Sequence, residues 1–249
     1  KIIDGKVTEG EKGLSGEIEF RNVSFKYPDA AEYILRNVSF KASKGETVAF
    51  IGSTGSGKST LLNLIPRYFD ATEGEVLIDG VNVKSYTQES LRKKLGYVSQ
   101  KAILFSGTVT TNVAYGDSGS NETAVKKAVD ISQGTEFVEK MENQYNAAIS
   151  QGGTNVSGGQ KQRLSIARAV YTQPEIYIFD DSFSALDYKT ERVLRSKLKN
   201  ETKDATTLIV GQRIGTIKDA DRIVVLEDGE VVGIGTHEEL MQNCSVYQE

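Results

Sequence analysis

The stretch "GSTGSGKS", residues 52–59, sets Gly52 four residues ahead of Gly57-Lys58-Ser59. Gly55 and Gly57 permit a tight loop whose amides face inward on an anion. Ser53, Thr54, Ser56 and Thr60 complete the loop and its exit. Lys58 can reach the outer phosphates of a nucleotide, and the Ser59 hydroxyl can ligate Mg²⁺. The alternative is a glycine-rich turn before a helix. The spacing, with an apolar strand before it and a helical pattern after it, favours the phosphate loop. Far downstream, "YIFDD" at 177–181 ends an apolar run in two carboxylates. Asp180, at the end of a buried strand, suits Mg²⁺, directly or through water. Alone it would as readily cap a turn. Asp181 stands where a carboxylate could activate water.

A third stretch, "VSGGQKQRLSIARA" at 156–169, begins a helix with Ser157 as N-cap. Ser157, the Gly158 and Gly159 amides and Gln160 form a second anion-binding helix end. One chain has little use for two such ends on the same phosphates. Two chains facing head to tail do, each lending its helix end to the other's nucleotide.

The elements that must position these groups follow from the hydrophobic pattern. Residues 16–25 and 34–43 alternate as half-buried strands and, with 74–80, suggest an antiparallel layer. Residues 47–52 are more continuously apolar, as a central parallel strand is, and 175–180 and 206–211 read as further buried strands. The helical pattern after the loop runs over 58–69, and 89–100 reads as a short helix, then a strand ending at Gln100. Residues 101–170 look mostly helical, a lobe inserted into an α/β core. Residues 188–200 form a helix, 222–235 a hairpin turning at Asp228–Gly229, and "THEEL" opens a last helix. In that helix start His237 reads as a surface or capping residue. Alternating strands and helices give an α/β fold with a mainly parallel sheet. Residues 1–15, polar and glycine-punctuated, read as a linker, with the domain over 16–249.

Composition excludes several classes. One cysteine, Cys244, allows no internal disulfide, and one histidine, His237, argues against a histidine zinc site. The formal net charge of -4 argues against a nucleic-acid partner. Apolar runs of about six residues fall far short of a membrane span.

Phosphate loop, "VSGGQ" helix start and paired carboxylates together closely resemble the nucleotide-binding domains of ATP-binding cassette (ABC) exporters, over residues 16 to about 243. The resemblance implies a P-loop NTPase (RecA-like) core with an antiparallel β subdomain and an inserted α-helical subdomain. It implies ATP and Mg²⁺ as cofactors. Tyr27, in "VSFKYP", falls where an aromatic stacks on adenine. Gln100 falls where a glutamine senses Mg²⁺, and Asp187, in "SALD", where a loop crosses a dimer interface. Gly211-Gln212-Arg213 occupies the switch segment. "QKAILFSGTVTTNVAYG" at 100–116 and "GEVLIDGVNV" at 74–83 look like the exporter branch. Implied partners are a second nucleotide-binding domain and a transmembrane domain of the same full-length chain, on the cytoplasmic side of the cell membrane.

Four positions depart from the family's pattern. Asp181 stands where exporters usually carry Glu. One methylene less displaces the carboxylate by roughly an ångström, enough to cost on the order of 10²-fold. Gln212 replaces a histidine, so the switch has no group titrating near pH 7. Gln151 stands near a usual Glu, and Val156 replaces Leu. The first two weaken the site on this chain's own phosphate loop, while the intact Ser157–Gln160 segment serves a partner's. This resembles the degenerate half of a heterodimeric exporter, pairing with a heterologous domain that carries Glu and His. The alternatives are a catalytically competent homodimeric exporter domain, a regulatory partner that binds without turnover, and a cassette ATPase without transport function.

Overall fold

The computed structural model describes residues 1–202 and 204–249. The chain begins with β1 (Ile18–Phe25), β2 (Leu35–Ala42), β3 (Thr47–Ile51), α1 (Lys58–Leu64), β4 (Glu73–Ile78), β5 (Val81–Asn82) and α2 (Gln88–Lys93). Next come β6 (Leu95–Val98), β7 (Gly107–Thr108), α3 (Val109–Val113), α4 (Glu122–Ile131), α5 (Thr135–Lys140), β8 (Ala148–Ile149) and α6 (Gly158–Tyr171). Then follow β9 (Ile176–Asp180), α7 (Tyr188–Glu201), β10 (Thr206–Val210), α8 (Ile214–Ile217), β11 (Arg222–Glu227) and β12 (Glu230–Gly235). The last helices are α9 (His237–Asn243) and α10 (Ser245–Gln248).

Contacts divide the chain into two compact units. The first holds Lys1–Leu95, Glu175–Asp180 and Asp204–Glu249. Its antiparallel sheet has the order β2-β1-β4-β5. In β2 alternation is clean from Val38 on, with Val38, Phe40 and Ala42 buried and Ser39 and Lys41 exposed; between Leu35 and Val38 it is broken by two exposed residues, of which Asn37 takes φ +48°. The main sheet of this unit orders β12-β11-β3-β10-β9, parallel except for the β11–β12 hairpin. Ile176, Tyr177, Ile178 and Phe179 of β9 are all buried, as expected of a strand covered on both faces. Phe40 stacks on Phe20 at 4.7 Å and meets Phe50 of β3 edge-on at 5.2 Å, so one aromatic cluster joins both sheets.

The second unit holds Gly96–Pro174 and Asp181–Lys203. It is mostly helical, with α3 and α4 packed on α6. A two-residue ladder, β7 with β8, is its one departure from the helical expectation among the described residues. The mixed α/β architecture, with an antiparallel layer and a helical part, agrees with the sequence reading.

Three local features add to the sequence reading. The first helix ends at Leu64, short of the pattern's end at Phe69, because Pro66 cannot continue it. His237 is not the cap of the last helices: the Thr236 hydroxyl accepts from the Glu239 amide, and His237 Nδ1 pairs with the Tyr247 hydroxyl at 2.6 Å. The amides of Lys6 and Val7 donate to the Ser85 carbonyl, and Gly5 donates to that of Tyr86.

The expectation of a transmembrane domain in the same chain is corrected. Among the described residues no helix is long and apolar enough to cross a membrane. The longest, α6 and α7, have 14 residues each and carry charge along their length, where a span needs about 20 apolar ones. No fused membrane domain lies within the described residues.

Candidate nucleotide site

In the first unit, strand register brings the chemistry to one edge. Val210 is level with Phe50 on one side and with Asp180 on the other. The carboxyl ends of β3, β10 and β9 therefore lie side by side. Gly52 follows the first, Gln212 the second, and Asp180 ends the third. In open parallel sheets this edge is where ligands bind.

The loop after β3 is held from below. Gly57 takes φ +101°, and a Cβ there would lie 2.7 Å from Leu35 Cδ2. Gly55 takes φ +82° with open space around it, so its backbone conformation alone requires glycine. The Ser56 amide donates to the Ser53 carbonyl at 3.0 Å, and the Ser56 carbonyl accepts from the Gly229 amide at 3.0 Å. Ser56 is buried, and its Oγ has no protein partner. Behind the loop, Leu61, Leu62 and Leu64 anchor α1 in the core. Each contributes roughly 1.5–3 kcal/mol by burial. Thr60, half-buried, lies in the same turn.

Lys58 Nζ donates to the carbonyls of Gly52 and Ser53, folding its charge over the loop. Ser59 Oγ donates to Asp180 Oδ1 at 3.3 Å, across 121 residues of sequence. A hydroxyl and a carboxylate are the hard oxygen donors Mg²⁺ prefers, so this pair fits the ion. The inward amides and Lys58 fit phosphates. Thr54 is exposed on the loop, and Gln212 is exposed beyond β10. Tyr27 is half-buried and packs edge-on against Phe25 at 5.0 Å and Phe69 at 5.2 Å, which fixes its ring.

The second unit carries the remaining predicted residues. Ser157 and Gln160 form a reciprocal capping box: Oγ accepts from the Gln160 amide at 3.1 Å, and Gln160 Oε1 accepts from the Ser157 amide at 3.0 Å. Gly158 is exposed and Gly159 half-buried in the first turn of α6. A Cβ at Gly159 would lie 3.0 Å from the Ala185 carbonyl oxygen, so the glycine permits this close approach. Asp187 caps α7, accepting from the Thr190 amide and hydroxyl at 2.8 Å each. Those bonds hold its carboxyl below the ordinary value. Gln100 is exposed after β6. Asp181 takes φ +54°, a left-handed conformation that costs a non-glycine residue energy.

Sequence reasoning missed Gln162 and Ser182. Gln162, on the buried face of α6, bonds Gln100, Ser184 and Ala185. Ser182 Oγ donates to the Val98 carbonyl at 2.6 Å.

A glycine phosphate loop level with a strand-end carboxylate, plus a glycine-rich helix start capped by Ser157, define an ATP-binding cassette. The chain belongs to the ABC transporter family, whose family model matches residues 35–184. It is similar to the uncharacterized ABC transporter ATP-binding protein YfiB of Bacillus subtilis (strain 168), 44% identical over all of this chain and 44% of that protein. It is also 44% identical to a putative multidrug export ATP-binding/permease protein of Staphylococcus aureus (strain NCTC 8325 / PS 47), over 94% of this chain and 40% of that protein. A solved bacterial Atm1-family ABC exporter with ATP bound superposes with a TM-score of 0.93 at 34% identity, covering 99% of this chain and 43% of that one. The chain spans less than half the length of the curated relatives it matches.

Proposed function

We propose that this protein is the ATP-hydrolysing domain of an exporter, formed by residues 16–249 with a helical lobe at about 101–170, on the cytoplasmic face of a membrane. The meeting of Ser59 with Asp180 carries the reading. Likeness to an exporter with ATP bound supports it. Lys58 and the loop amides of 52–60 bind the phosphates, and Tyr27 stacks on the base. Ser59, Asp180 and Gln100 would hold Mg²⁺, which would supply positive charge against a bound nucleotide's phosphates. Asp181 orients the attacking water, and Gln212 donates a hydrogen bond from its amide. Ser157, Gly158, Gly159, Gln160 and Asp187 serve the site of a second nucleotide-binding domain. On this reading the chain's own site turns over.

A second reading is favoured by the residue types at 181 and 212: the own site binds ATP and hydrolyses it slowly. Mg²⁺-dependent ATPase activity of the purified chain tests both. Sustained turnover that Lys58→Ala abolishes supports the first. ATP binding without measurable turnover replaces it with the second, and absence of ATP binding overturns both.

A further inference from the structure

Gln162 is only 4% exposed, and ATP binding as proposed gives it no task. Its side-chain amide is fully employed. Nε2 donates to the Gln100 carbonyl at 3.3 Å and to Ser184 Oγ at 3.1 Å, while Oε1 accepts from the Ala185 amide at 2.9 Å. The partners fix its orientation. A carbonyl can only accept and an amide N–H only donate, so reversing the side-chain amide would break both backbone bonds. The segments it joins are distant in sequence, at 62 residues on one side and 22 to 23 on the other.

A second buried bond ties the same two segments, from Ser182 Oγ to the Val98 carbonyl. Gly159, at the start of the same helix, lies directly against the Ala185 carbonyl. The loop after β6, the first turns of α6 and the run from Ser182 to Asp187 are thus bound to one another at their backbones. Deleting the Gln162 amide would release a part-buried backbone acceptor and a part-buried backbone donor, and with them the tie between the two segments.

We propose that Gln162 is a positioning residue that makes the Gln100 segment and the Ser184–Asp187 segment respond together to nucleotide. The inference rests on the proposed function, which puts Gln100 at the Mg²⁺ ion and Asp187 at a second domain's site. A nucleotide felt at Gln100 is then transmitted to Asp187 through a side chain that touches neither ligand, a coupling between two segments that share one hydrogen-bonding residue.

Hydrogen exchange of the full chain, with and without Mg²⁺ and ATP, tests it. In the wild type ATP slows exchange at residues 52–60, 98–102 and 182–187. In Gln162→Leu the response at 52–60 and 98–102 remains, and that at 182–187 falls about tenfold. Gln162→Glu keeps the acceptor for Ala185 but loses the donors, and gives the same pattern. Where Gln162→Leu fails to fold, Ser184→Ala removes one bond at an exposed residue and lowers the 182–187 response about threefold. A wild-type response at 182–187 in any folded variant of this set overturns the proposal. A wild type responding at 52–60 but not at 182–187 overturns it as well. No response at 52–60 in the wild type defeats the proposed function itself, and the inference with it.

Discussion

Ser59 and Asp180 stand 121 residues apart, and the hydroxyl of one donates to the carboxylate of the other at 3.3 Å. Neither is placed by its own neighbourhood. Ser59 is fixed by the left-handed turn at Gly57 and by the leucines that anchor α1. Asp180 is fixed by the register of β9 on β10. Asp180→Asn keeps the shape and removes the charge. It is expected to lower Mg²⁺-dependent ATP turnover on the order of 10²-fold or more while leaving the fold intact. Steady-state kinetics over a Mg²⁺ titration, with thermal unfolding as control, measures this. Turnover within threefold of wild type would remove Asp180 from the metal site.

The phosphate loop leans on a hairpin that the sequence places far from it. Gly229 takes φ +78°, its amide bonds the Ser56 carbonyl, and a Cβ there would lie 2.0 Å from the Ile34 carbonyl oxygen. Gly229→Ala is expected to cost at least about 2 kcal/mol of stability, from the left-handed backbone and the clash together. It should also weaken ATP binding about tenfold by tilting the loop. Asp228→Asn, at φ +48°, should leave both unchanged, since asparagine tolerates that conformation. Denaturant unfolding and nucleotide titration of both variants check the contrast.

The phosphate loop, Asp180 and the Ser157 cap were legible because each is local: a fixed spacing, a strand end, a helix start. The two sheets were legible because alternation and continuous apolar runs report one-sided and two-sided burial. Gln162 was not, because its three partners are brought to it only by folding, and a glutamine in a helix resembles any solvated one. The bonds of Gly5, Lys6 and Val7 to residues 85 and 86 were silent for a related reason: they are made by backbone, which composition does not register. The helix ending at Leu64 was overrun because periodicity was read through Pro66.

Asp79 is fully buried and accepts from the Gly16 and Glu17 amides at 2.7 and 2.9 Å and from Lys94 at 2.9 Å; Lys94 also bonds Glu175 at 3.1 Å. Burial alone would raise the Asp79 pKa, but hydrogen bonding with Glu175, Lys94 and the Glu17 amide outweighs it and holds it below the ordinary carboxylate value. Its stabilisation is therefore complete above the unfolded value and is lost as pH falls through the depressed folded one. Lys94 is shifted upward: burial opposes the charge, but both carboxylates outweigh it, so its share persists until strongly alkaline pH. Glu175 is raised, by burial first and then by Asp79, and so works in the opposite sense, costing stability once it ionises. Asp79→Asn is expected to destabilise by about 2 kcal/mol at neutral pH, because it removes the buried charge that Lys94 pairs with and leaves Lys94 only Glu175. The gap to wild type should narrow as the pH drops below the carboxylate range. Urea unfolding of both proteins across acid and neutral pH checks the sign, and a gap that widens in acid would contradict it.

Asp181 and Gln212 decide between the two readings of the site. Asp181 follows Asp180 with a left-handed backbone, and its side chain is one methylene shorter than glutamate. A carboxylate displaced by roughly an ångström still binds water but orients it less well, a loss on the order of 10²-fold in a positioned site. Asp181→Glu is therefore expected to raise kcat by about tenfold or more with little change in KM, because the proposed function gives ATP binding to the loop of 52–60 rather than to Asp181. Gln212→His adds a group that titrates near neutrality, so it should introduce a pH dependence between about pH 6 and 7.5 that the wild type lacks. If the two act on one water, the double variant will exceed the product of the single gains. If instead Asp181→Glu leaves kcat unchanged or lowers it, aspartate already places the water and the site is competent as it stands. That outcome removes the slow-site reading and leaves ATP hydrolysis by this chain's own phosphate loop as its function.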